Sequence, residues 1–301
     1  MKKIVVAGSI NMDIVTGMQR YPQPGETIYG NSFNTFPGGK GANQAVAVGR
    51  LGGNVTFLGK IGNDLYGTEA LRAMNDAGVD VSHIEKADIN TGVACIWVNG
   101  EGENCIVLSP GANSQVDIAY IERHLEVFDD CGAVLLQFEI PLDTVCWIAK
   151  YCKERGITVI LDPAPAALCN SDLLSCVDYV TPNETELSVA SGCSDESSAV
   201  STLLEKGCKY VLNKLGPEGC RLISKDISLS SSGFKVKAID TTAAGDSFNA
   251  GFAYALMEGM DLQSSMTFAN AVGAIAVTGM GAQSAMPSYE QVKEFIITHQ
   301  K

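Results

Sequence analysis

Short runs of β-branched and apolar residues alternate with stretches of helix-like spacing along most of the chain. Strands are predicted over residues 4–10, 55–61, 133–138, 158–161, 179–180 and 210–213, and helices over 42–51, 65–77, 142–155, 199–206 and 248–257. Strands that are apolar throughout and separated by helices predict an α/β fold: a mostly parallel central sheet between helices. Two segments break that rhythm. Residues 16–36 are rich in Gly, Pro and Tyr, and residues 91–109 read as a hairpin, with Val93-Ala-Cys-Ile-Trp-Val98 and Cys105-Ile-Val-Leu108 flanking turn residues. A hairpin inserted between α/β units predicts a small β-sheet lid, with segments at about 13–37 and 91–110. No internal repeat or low-complexity linker divides the rest, so residues 1–301 are expected to form a single domain.

Composition narrows the function. The 301 residues carry 21 Lys+Arg against 34 Asp+Glu, a net charge of −13, with 46% hydrophobic and 18% charged residues. That balance is globular. A pI near 4.6 argues against a nucleic-acid partner. The most apolar stretch, residues 268–282, is Ala- and Gly-rich and falls short of the roughly 20 strongly apolar residues of a membrane span. The ten cysteines are scattered without a C-x-x-C pair, and His83, His124 and His299 lie far from any cysteine pair, which argues against a zinc site. The apolar run after Met1 is too short for a signal peptide, so a cytoplasmic chain with reduced thiols is expected.

Two segments carry candidate chemistry. Phe36-Pro-Gly-Gly-Lys-Gly-Ala-Asn-Gln44 is not a P-loop, because Gly41 stands where Ser or Thr must follow the lysine. It fails the G-x-G-x-x-G dinucleotide pattern at Gln44, which removes the main support for a nicotinamide enzyme. What remains is a glycine-dense turn opening a helix, with Lys40 and Asn43 at its mouth. The second segment, Asp240-Thr-Thr-Ala-Ala-Gly-Asp-Ser-Phe-Asn-Ala-Gly251, runs small residues into a helix. The N–H groups of Ala243, Ala244 and Gly245 can form an anion site there. Asp246 in the first turn suits helix-dipole compensation. Beside an anion-binding turn it also suits a base that takes a proton from a nucleophile attacking phosphorus.

With Gly8-Ser-Ile-Asn-Met-Asp13, Asn99-Gly-Glu-Gly-Glu-Asn104 and Asn183-Glu-Thr-Glu186, these segments resemble in order the signatures of the ribokinase-like, phosphofructokinase B-type carbohydrate kinases. The resemblance runs from Ile4 to near the C-terminus. It implies ATP-dependent phosphorylation of D-ribose at the 5-hydroxyl, giving ribose 5-phosphate, with Asp246 as base and the N–H groups of Ala243, Ala244 and Gly245 as anion hole. It places Asn11, Asp13, Gly39, Lys40, Gly41, Ala42, Asn43 and Glu139 around the sugar. Asn183, Lys214, Leu215, Gly216, Pro217, Glu218, Gly219, Gly245 and Asn270 fall on the nucleotide side. Glu186 would meet Mg²⁺ through water, and Asn183 with Glu186 also has the spacing of a helix capping box. Asp240, Thr242, Ala276, Gly279 and Gly281 match a monovalent-cation (K⁺) site, although Ala285 stands where the family often has Ser and Ser284 is next to it. The resemblance also implies a homodimer through the lid, where Val93, Ile96 and Val98 need a cover. Deoxyribose, a nucleoside or another small sugar remains open as substrate, as does a non-catalytic sugar-binding regulator on the same fold.

Overall fold

The structure, a computed structural model, describes residues 2–299. Its strands in chain order are β1 (Lys3–Ala7), β2 (Asn11–Gly17), β3 (Ser32–Gly38), β4 (Val55–Leu58), β5 (Lys60–Gly62), β6 (Glu85–Ala87) and β7 (Gly92–Val98). They continue with β8 (Asn104–Ser109), β9 (Cys131–Leu136), β10 (Thr158–Leu161), β11 (Tyr179–Val180), β12 (Tyr210–Lys214), β13 (Gly219–Ile223) and β14 (Ser228–Ser232). The central sheet has the order β14-β13-β12-β11-β10-β9-β1-β4, parallel from β4 to β12 and closed at one edge by antiparallel β13 and β14.

Alternation along the inner strands explains why they carry no polar face. Val5, Ala7, Val134, Leu136, Val159 and Leu161 pack on one side, with Ile148 of helix Leu142–Glu154 and Leu203 of helix Glu196–Glu205. Ile4, Val6, Leu135 and Ile160 face the other side, with Val46 of helix Lys40–Arg50 and Phe252 of helix Ala244–Met257. Both faces are therefore covered, as the unbroken apolar runs require.

The run at 55–61 splits at Gly59: β4 joins the central sheet, whereas β5 turns away and pairs with β6. The run at 4–10 also stops early, at Ala7. The chain then crosses at Gly8–Ile10 into a second sheet of order β3-β2-β7-β8. In that sheet β2 and β7 are parallel and the other pairs antiparallel. This crossing brings the Gly8–Asp13 segment to the junction of the two sheets. Among the described residues, no helix is long and apolar enough to cross a membrane. The ten cysteines are free thiols.

Candidate active site

Two glycines let the first motif fold onto the sheet junction. Gly39 caps helix Lys40–Arg50 with φ of 92°, and a Cβ there would lie 2.8 Å from the Asn11 nitrogen. A Cβ at Gly41 would lie 2.6 Å from the Ser9 nitrogen. Ala42 packs equally close, its N–H donating to the Ser9 carbonyl at 2.9 Å. Asn113 clamps the crossing by exchanging hydrogen bonds with both backbone groups of Ile10, and its Nδ2 donates to Asn11 Oδ1 at 2.7 Å. Glu139, just beyond β9, accepts from the Lys40 N–H at 3.1 Å, from Asn11 Nδ2 at 3.4 Å and from the Ser9 hydroxyl. A carboxylate here complements the start of the Lys40–Arg50 helix.

The second motif arrives from the opposite side. Helix Ala244–Met257 begins after Ala243, whose φ of 59° is left-handed and unusual for a residue with a Cβ. The Ala244 N–H bends back to the Thr241 carbonyl at 3.3 Å. The N–H groups of Gly245 and Asp246 follow in the first turn, where no preceding helical carbonyl is available to them. Asp246 is buried, and both its oxygens accept from the first helix: Oδ2 from Asn43 Nδ2 at 3.0 Å and Oδ1 from Gln44 Nε2 at 3.2 Å. Burial pushes its carboxyl above the ordinary range, more than Lys40 and the two amides pull it down; Asp162 adds to the rise.

These amides belong to a buried chain. Gln283 donates to Asn43 at 3.1 Å, Gln137 donates to Gln44 at 2.7 Å, and Gln44 Nε2 also reaches Asp162 at 3.1 Å. Lys214 Nζ lies 3.1 Å from Asp162 and 3.7 Å from Glu186. Burial works against a charge on Lys40, yet Asp246, Asp162, Glu139 and Glu186 together hold its ammonium well above the usual range. Asp13 is buried over Gly38, and desolvation, with Glu139 and Asp246 nearby, pushes its carboxyl up to about 7. Acidic groups thus outnumber the two lysines, a field that a polyphosphate enters readily only with a cation.

The structure therefore gathers Lys40, Asn183, Glu186, Lys214, Gly216, Ala243, Ala244, Gly245 and Asp246 on the walls of one cleft of about 310 Å³. Asn11 and Glu139 line a neighbouring cleft of about 360 Å³, roofed by Leu108 of β8. A larger cavity, of about 600 Å³ beside Arg50 and Gln291, holds none of the expected site residues. Asn183 and Glu186 form a full capping box at the start of helix Glu184–Ser191. Of the loop after β12, only Gly216 reaches the cleft wall; Leu215, Pro217, Glu218 and Gly219 form the tight turn behind it. Asn270 spends its amide on the carbonyls of Ser231 and Ser232, fastening helix Leu262–Ala276 to β14. Asp240 accepts the N–H groups of Thr242 at 2.9 Å and Gly281 at 3.0 Å, which joins two of the loops expected around a cation. Gly279 lies against Ala285, and Ala276 ends its helix.

Sequence reasoning missed Asp162, Gln44, Gln137 and Asn113 as site residues. For Asp162 a signal existed: it directly follows an apolar strand, the position at which open α/β sheets meet ligands. The three amides gave none.

A family model described as pfkB family carbohydrate kinase matches residues 1–289. A ribokinase of Haemophilus influenzae is 41% identical, with 98% of each chain covered. A deoxyribokinase of Salmonella typhi is 35% identical, covering 97% of this chain and 98% of that one. The structure of Arabidopsis thaliana ribokinase complexed with ribose and ATP superposes with a TM-score of 0.91 at 34% identity, over 98% of both chains.

Proposed function

The chain belongs to the pfkB family of carbohydrate kinases, and within that family we propose that it transfers the γ-phosphoryl group of ATP to the 5-hydroxyl of D-ribose. The observation that carries this reading is Asp246: a buried carboxylate with a raised pKa, in the first turn of a helix whose leading N–H groups open onto a cleft also walled by Lys40 and Lys214.

In the proposed reaction, Asp246 accepts the hydroxyl proton as O5 bonds to the γ-phosphorus and the β–γ bridging bond breaks, with ADP as leaving group. The N–H groups of Gly245 and Asp246 face the charge that grows on the phosphoryl oxygens, and the ammonium of Lys40 adds to that field. Asn43 and Gln44 hold both Asp246 oxygens, so the base is oriented before the sugar arrives. Asn11 and Glu139 offer hydrogen-bonding groups to the ribose hydroxyls from the second cleft, and Asp13 offers its carboxyl from β2, near Glu139 and Asp246.

Glu186 and Asp162 fit Mg²⁺: both are hard oxygen donors, and they share one lysine. Bound there through water with the nucleotide, Mg²⁺ would neutralise phosphate charge. The carboxylate of Asp240, with carbonyls of Thr242, Ala276 and Gly279, suits K⁺, which would order the loop ahead of Ala243. The small sheet serves as the lid over the sugar and as the contact between two copies of the chain.

Deoxyribose is the second reading, favoured by the 35% identity to a deoxyribokinase. ATP consumption with ribose, deoxyribose, fructose and adenosine separates the readings. The highest kcat/KM is expected with ribose. A higher value with deoxyribose moves the assignment to that sugar, and no turnover on any of the four favours a regulator.

A further inference from the structure

Sequence spacing keeps the histidines apart, but the fold does not. His83, in the turn before β6, and His124, before the 3-10 turn Leu125–Phe128, face each other with their Nδ1 atoms 3.4 Å apart. Glu126 Oε1 lies 3.7 Å from the first and 3.8 Å from the second. The ordinary account is a hydrogen bond between two imidazoles beside a surface carboxylate. Two observations favour more. First, His124 Nε2 lies 3.1 Å from Glu85 Oε1. A histidine that donates one ring N–H to a carboxylate presents the lone pair of its other nitrogen, the usual arrangement behind a metal-bound imidazole. Second, nitrogens bound to tetrahedral Zn²⁺ at about 2.0–2.1 Å stand about 3.3–3.4 Å apart, the separation found here.

We propose that His83, His124 and Glu126 form a binding site for a borderline divalent transition-metal ion such as Zn²⁺, none of whose residues lines the cleft around Asp246. The half-buried histidines are preset, and the Glu126 side chain, 60% exposed, is free to swing the few tenths of an ångström needed. The fourth position is left to water, as in other sites with three protein ligands. Two imidazoles and a carboxylate suit Zn²⁺, Co²⁺ or Ni²⁺ better than Mg²⁺ or Ca²⁺, which prefer all-oxygen shells. The ion would tie the turn at His83 to the segment at His124. Tyr120 links the same region, its hydroxyl donating to the His83 carbonyl at 2.8 Å and accepting from the Gly59 N–H at 2.7 Å. The site thus braces the point where β4 gives way to β5.

Titrating the full chain with Co²⁺ tests this, because thiolate-to-cobalt charge transfer in the near ultraviolet distinguishes binding at cysteines. One Co²⁺ per chain is expected, with visible d–d bands, no thiolate charge transfer, displacement by Zn²⁺ and an upward shift of Tm. His83→Gln and His124→Gln should abolish the bands. Glu85→Gln should weaken binding about 10–100-fold by loosening His124. The exposed Glu126→Gln change disturbs little else and should also weaken Co²⁺, so the test survives if a histidine variant folds poorly. Absence of d–d bands, a charge-transfer band alone, or affinity unchanged in Glu126→Gln and both histidine variants would overturn the site.

Discussion

Asp13 lies deep enough, and close enough to Glu139 and Asp246, that its carboxyl is pushed up to about 7 from an ordinary 3.8. The consequences for stability and for activity run in opposite directions. Between those values an unfolded chain ionises Asp13 more readily than the folded one, so stability falls as pH rises from about 4 to about 7. Asp13→Asn should therefore melt higher than wild type at pH 8, with the gain shrinking towards pH 4. An equal gain at every pH, or a loss at pH 8, would contradict this. The same change should lower kcat/KM for ribose by about 5- to 150-fold, the effect of roughly 1–3 kcal/mol for a lost buried acceptor. Gln44 is a positioning residue for Asp246. Gln44→Met keeps the volume but removes a donor that lowers the Asp246 pKa, so the acid limb of the kcat/KM profile should move upward and kcat should fall. A lower Tm with the acid limb unmoved would make Gln44 merely structural. At this scale the sequence was legible where chemistry coincides with a turn: Lys40 and Asp246 each sit at a helix start among glycines and alanines. Gln137 and Gln44 act through partners distant in sequence, and no local spacing announces such pairs.

Elements followed from hydrophobic periodicity where packing is two-sided. The strand at Thr158–Leu161 needs no other information, since both faces are buried and every residue is apolar or β-branched. Edges gave no such signal. The strand Ser228–Ser232 is four-fifths serine, with one flank open to solvent, and it forms because β13 offers it a ladder. Gly59 divides a run that reads as one strand, because its N–H is claimed by Tyr120 from another part of the chain. The two loops that meet at Asp240 make the element-scale prediction. Ser284 donates its hydroxyl to the Met280 carbonyl at 2.6 Å, so it is already engaged, while Ala285 packs on Gly279. Replacing Na⁺ by K⁺ at constant ionic strength should raise activity, and Ala285→Ser should lower the K⁺ concentration for half-activation. Equal rates in K⁺, Na⁺ and tetramethylammonium would leave Asp240 as a turn residue alone.

The molecule joins a covered α/β body to a small sheet that is open on one strand, where every residue of β8 is exposed. Register puts Ile96 opposite Ile106 and Ala94 opposite Leu108 on the face that also carries Asp13. So few strands with apolar side chains exposed need a partner surface, which the proposed dimer supplies. Sedimentation velocity should find a dimer that becomes a monomer when Ile106 and Leu108 are both changed to Asp. A monomeric wild type at all concentrations would remove the interface. The fold class was legible at this scale from strand and helix alternation, whereas assembly depends on a second copy that no single chain's pattern contains. The central claim, a buried base at a helix-borne anion hole driving phosphoryl transfer to ribose, is tested most directly by following ribose 5-phosphate formation from ATP in wild type and Asp246→Asn. The account predicts one ADP per ribose 5-phosphate in wild type. In the variant, kcat should fall about 10²–10⁴-fold with ATP binding retained. A variant within a few-fold of wild type, or a wild type that phosphorylates no sugar, would contradict it.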